Sequence, residues 1–131
     1  MNLKNEQYNF IKLITDNYPG TYSLTTDFLD LDVHKNDFTI FVEFSNIDLS
    51  NHVNSDDCTK YGKLLVQIYL VLRNDNSLNL NTKLLESTDS FYKLLYKNDI
   101  EVRNIDFYNY ASGTKYIVAS EFSVSLDIVL N

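Results

Sequence analysis

The alternation of apolar and polar residues is most regular in the middle of the chain. Over residues 61–73 every second position from Leu64 is apolar (Leu64, Val66, Ile68, Leu70, Leu72), while Tyr61, Lys63, Leu65, Gln67, Tyr69, Val71 and Arg73 form a mixed row. A period of two with one apolar and one half-polar face marks a strand buried on one side. This strand is predicted to be the floor on which the rest packs. Residues 38–44 alternate in the same way, with Phe38, Ile40, Val42 and Phe44 on one face. So do residues 115–130, where Tyr116, Val118, Phe122, Val124, Leu126, Ile128 and Leu130 oppose Lys115, Glu121, Ser123, Ser125 and Asp127. Residues 21–25 predict a further, short strand around Tyr22 and Leu24.

Over residues 100–110 the phase slips. Ile100 and Val102 share one parity and Ile105 and Phe107 the other, which predicts a strand with a bulge near Arg103-Asn104. Ser112-Gly113 then reads as a hairpin turn. Two stretches follow the helical period instead. Leu3, Phe10, Ile11, Ile14 and Tyr18 make one stripe over residues 2–17, with Asn2 as cap and Tyr18-Pro19-Gly20 as the stop. Leu84, Leu85, Thr88, Phe91, Tyr92 and Leu95 make a second, with Asn81 as the expected cap and Lys93 and Lys97 near the C-terminal end of the dipole. Residues 27–37 predict a bent extended segment among acids, and residues 45–60 a polar loop of sixteen residues. A loop that long without structure of its own is uncommon and often functional.

Helix, two or three strands, a long strand, a helix and a closing hairpin imply an α+β fold: an antiparallel or mixed sheet of four to five strands with two helices on one face. At 131 residues the chain is expected to form a single domain over 1–131. Such a domain is about 35 Å across, taking twice its radius of gyration with a margin for the surface. A fifteen-residue strand runs to roughly 50 Å. The last strand is therefore expected to bend or to project toward a neighbouring subunit, since long unpaired edges invite pairing with another chain.

Composition narrows the chemistry. A net charge of −7 argues against holding nucleic acid through its phosphates. It fits plain solubility, a surface that repels DNA, or a mimic of DNA charge. Ten tyrosines suit surfaces packed against another protein, although tyrosine also simply favours strands. Cys58 is alone, so no internal disulfide is available. No secretory leader or membrane span is expected, and the three glycines stand apart rather than in a phosphate loop. Asp48, His52, Asp56, Asp57 and Cys58 offer metal-ligating atoms, but at no zinc or calcium spacing, and read as a solvated loop. His34, beside Asp32 and Asp37, reads as surface, and Cys58 as a nucleophile would need His52 or His34 brought beside it by the fold, which the sequence permits but does not suggest. No enzyme, cofactor or metal is expected.

The order and length of these elements resemble the tail-terminator proteins of long-tailed bacteriophages. The likeness covers nearly the whole chain: an opening helix at Leu3 to Asn17, a strand at Phe38 to Phe44, a polar loop, the long strand from Tyr61, a helix at Thr82 to Lys97, and a hairpin of Ile105 to Tyr110 with Tyr116 to Leu130. It is a likeness of pattern, and the very long last strand departs from it. The resemblance implies a virion protein, assembled in the host cytoplasm into a homo-oligomeric ring, as a hexamer. That ring would cap the tail tube protein, meet a neck or head-completion protein, and let DNA pass through its lumen without specific binding. The contact regions expected on this reading are the polar loop and the hairpin tip, with Asp48, Asn51, His52, Asp56, Asp57, Tyr69, Tyr110 and Thr114 as interface residues. Two alternatives stand beside it: an acidic inhibitor or immunity-type protein that occupies a nuclease by charge mimicry, and another head-completion or neck protein of the same fold.

Overall fold

A computed structural model of the chain describes residues 1–27, 37–49, 60–74, 79–112 and 115–130. The elements run α1 (Leu3–Asn17), β1 (Ser23–Thr25), β2 (Phe38–Asp48), β3 (Tyr61–Asn74), α2 (Leu80–Lys97), β4 (Glu101–Ser112) and β5 (Lys115–Val129). The five strands form one sheet in the order β1-β2-β3-β5-β4. Only β1 pairs in parallel, with the start of β2; every other pair is antiparallel. The fold is α+β with a mixed sheet.

The predicted apolar rows coincide across strands. Ile40 faces Leu70, Val42 faces Ile68, and Phe122 faces Ile68 from the other side, so one face of the sheet is continuous hydrocarbon. Both helices cover that face. Phe10 and Ile14 of α1 and Phe91 and Leu95 of α2 share one buried cluster with Ile68, Leu70 and Phe122. Phe91 meets Phe122 edge to face, with centroids 5.2 Å apart. Between the helices, the Tyr18 hydroxyl lies 3.1 Å from the Ser87 carbonyl, to which it donates, and 3.0 Å from Ser90 Oγ.

The helix ends follow local chemistry. Asn2 Oδ1 accepts from the Asn5 amide at 3.2 Å, and the extended backbone of Tyr18 before Pro19 ends α1. At the far end of α2, Asp99 takes a left-handed φ of 58°. Its amide bonds the Tyr96 carbonyl while that of Ile100 bonds the Leu95 carbonyl, a Schellman closure with aspartate where glycine is usual. The start of α2 differs from expectation. Asn79, at φ 66°, precedes the helix and Asn81 lies inside its first turn, because Leu80 is buried and fixes that turn to the core.

Two other expectations are corrected. The long polar loop begins later than residue 45, since β2 continues to Asp48. A bulge between Phe44 and Asn46 resets the parity, so that Ile47 returns to the core face opposite Leu64. Two polar residues in a row concealed that continuation. The bulge expected near Arg103-Asn104 is present, between Val102 and Asn104. The last strand is not left bare along its length: β5 pairs with β3 from Tyr116 to Val129 and with β4 from Lys115 to Ser125. Length is accommodated because β3, at 14 residues against 15, is nearly as long and the two run side by side. Among the described residues the open edges lie elsewhere, along the whole outer side of β4 and on β2 beyond its pairing with β1. The bent segment expected at 27–37 falls almost wholly outside the described residues.

Candidate functional site

The second row of each strand points away from the helices and is mixed: Thr39, Phe41, Val71 and Ala119 are buried on it, and beside them lies a polar cluster. Glu121, on β5 between its two neighbours, is its centre. Glu121 Oε1 accepts the Tyr108 hydroxyl at 2.7 Å, and Oε2 accepts the Tyr69 hydroxyl at 3.3 Å. The Tyr69 ring leans on Phe41 with centroids 5.5 Å apart, and Phe41 is buried. Ser123 donates to Gln67 Oε1 at 2.8 Å, one step along the same pair of strands. Further on, Lys63 donates to Asp127 and lies 3.8 Å from Glu101. Asp106 stands opposite Glu121 in register, and Asn104 donates to its carboxylate at 2.8 Å. Two carboxylates directly opposed on antiparallel strands repel one another. The donors from Tyr69, Tyr108 and Asn104 offset that repulsion.

These contacts hold the phenols protonated. Burial, and then the Glu121 and Glu43 carboxylates, push the Tyr69 phenol up to about 12. The hydrogen bond to Glu121 raises Tyr108, and the bond to Asp127 raises the Lys63 ammonium. A phenol that keeps its proton is a hydrogen-bond donor and cannot serve as a base at neutral pH.

Charge is divided across the sheet. On the helices, Glu6, Asp16, Glu86 and Asp89 are balanced by Lys4, Lys12, Lys83, Lys93 and Lys97. On the opposite face, Glu43, Asp48, Glu101, Asp106, Glu121 and Asp127 stand with Lys63 and Arg73, with Lys115 at the end of the same row and Arg103 at the β4 bulge. The helix layer is close to neutral and the opposite face carries a small acidic excess.

Three of the interface residues read from the sequence lie on this surface or in its register. Tyr69 is central, Asp48 closes β2 opposite Lys63, and Tyr110 stands opposite Ile117 on the edge strand β4. They do not form one cluster. Asp48 is level with Lys63 and Tyr110 with Arg73, ten positions apart on β3, or roughly 33 Å at the strand rise. Asn51, His52, Asp56, Asp57 and Thr114 fall outside the described residues, as do His34 and Cys58. Sequence reasoning missed Glu121 and Tyr108 as the centre. Glu121 was visible on the polar row of the last strand, but the partners on its two sides depend on strand order.

Among the described residues, grooves border the sheet at two places. One, of about 370 Å³, is apolar and lined by Leu3, Gln7, Phe44, Asn46, Ile47 and Leu64, beside the open part of β2. The other, of about 350 Å³, lies where β4 begins and includes Glu6, Phe10, Lys63, Glu101 and Asp127. No described helix is long and apolar enough to cross a membrane. No protein-family model matches the chain, and no curated protein matches it in sequence.

Proposed function

We propose that this is a structural virion protein of the tail-terminator kind. Copies join into a ring that caps the tail tube, meets the neck and lets DNA pass. The observation that carries the reading is the cluster of carboxylates on the sheet face away from the helices, together with β4 and the second half of β2, which have no strand partner among the described residues. Open strands on opposite sides supply a head-to-tail contact, the type that closes rings. A wall with more carboxylates than bases repels phosphate, which suits a conduit that must not retain DNA. The element order, with its opening helix, central strands, second helix and final hairpin, is consistent with the same assignment.

Native mass at micromolar concentration, with negative-stain images of the same sample, tests it. A single closed assembly of about six copies, seen as a ring with a central hole, is the expected result. A monomer alone overturns it. The acidic face also favours one second reading, a nuclease inhibitor that imitates DNA. That reading expects a monomer that titrates a nuclease one to one, so the same mass measurement separates the two.

A further inference from the structure

The two open edges of the sheet are complementary to each other. The outer side of β4 carries no partner among the described residues along Glu101–Ser112. On the other side of the sheet, β1 pairs with Thr39, Ile40 and Phe41, so that among the described residues no strand lies against β2 over residues 42–47. The first half of β4 is guarded by Glu101, Arg103, Asp106 and a bulge, the usual defences of an edge. Residues 107–112 carry no charge, and residues 42–47 carry only Glu43.

Side chains match the backbone pattern. Phe107 stands opposite Ser120, whose row faces the helices, and is nevertheless 53% exposed. The apolar groove of Leu3, Phe44, Ile47 and Leu64 opens on that same face at the opposite edge. Its volume of about 370 Å³ is at the small end of ligand pockets and ample for one aromatic ring. The molecule therefore has an aromatic knob on one edge and an apolar hole on the other.

We infer that β4 of one copy adds to β2 of the next, with Phe107 seated in that groove. The occupant is a second copy of this chain, because knob, hole and both edges belong to one sequence. Strand direction agrees. β2 runs parallel to β5 through β3, and β4 runs antiparallel to β5, so copies rotated about an axis along the strands bring β4 antiparallel to β2. Phe107 is level with Leu70, whereas the groove is level with Leu64 to Val66, so neighbours are offset by four to six residues. That is roughly 13–20 Å across a repeat of four strands about 19 Å wide, a strand tilt of about 35–45°, that of closed barrels.

This contact rests on the self-assembly proposed above and specifies it. The test uses two full-length variants, Phe107→Asp to block the knob and Leu3→Asp to block the hole, both at exposed positions. Native mass is read for the wild type, each variant and their equimolar mixture. An assembled wild type, monomeric variants and a one-to-one dimer in the mixture are expected, since each variant keeps one working edge and the dimer shows that both fold. If the wild type assembles but the variants still do, or their mixture stays monomeric, the edge contact is wrong while the assembly reading stands. A monomeric wild type overturns both.

Discussion

The helix-covered face and the opposite face of the sheet use the same backbone and are held by different forces. The covered face is closed by Ile68, Leu70, Phe91 and Phe122, all without solvent exposure, and its cohesion is the removal of hydrocarbon from water. The opposite face carries a lattice of cross-strand bonds, Tyr69 and Tyr108 on Glu121, Ser123 on Gln67, and Lys63 on Asp127, beside the buried Thr39, Phe41, Val71 and Ala119. Adjacent positions on one strand therefore belong to different energetic regimes. Phe122 fills a core, while Ser123 next to it contributes one part-buried hydrogen bond. A substitution's cost should follow strand parity more closely than distance along the chain.

The largest contrast should appear between those two neighbours. Phe122→Ala opens a cavity under both helices and should cost about 3–5 kcal/mol in urea denaturation. Ser123→Ala should cost about 1 kcal/mol or less. Equal costs would mean that the two faces are not distinct.

A smaller effect should reverse the sign. Thr39 sits on the row facing away from the helices yet is fully buried, and its hydroxyl has no hydrogen-bond partner among the described residues. Thr39→Val keeps the shape and removes that orphan, so it should leave stability unchanged or raise it by up to about 1 kcal/mol. A clear loss would show that the hydroxyl has a role in the fold.

The subtlest difference is in alkali. The Tyr69 phenol is raised to about 12, so above pH 10 the unfolded chain releases this proton while the folded chain keeps it. Its contribution is complete below pH 10 and is lost as pH rises toward 12. Tyr69→Phe should flatten the fall in stability across that interval. In absorbance at 295 nm it should also remove one late-ionising phenol. A variant whose alkaline profile overlays that of the wild type would contradict the assigned environment.

Much of the fold was legible because period and punctuation are local properties. The rows of residues 61–73 and 115–130 announced strands with one apolar side, and the phase slip after Val102 announced the bulge that the structure contains. Asn2 and Pro19 marked the ends of α1 for reasons confined to a few neighbouring residues. Where two signals competed, local reading failed. The bulge at residue 45 hid the second half of β2, and Leu80 overrode Asn81 because a buried leucine outweighs the choice of cap.

The sequence by itself determined which residues pair off as apolar and polar rows, that there are two covering helices, and that the molecule is acidic. Only the tertiary structure decided that β5 lies between β3 and β4, which brings Tyr69 and Tyr108 onto Glu121. It also decided that Asp106 and Glu121 stand opposite one another, and that the edges without a strand partner among the described residues are β4 and the second half of β2. Alternation fixes which way a side chain points from its own strand, but neighbours across a sheet are chosen by long-range pairing, which no local pattern records.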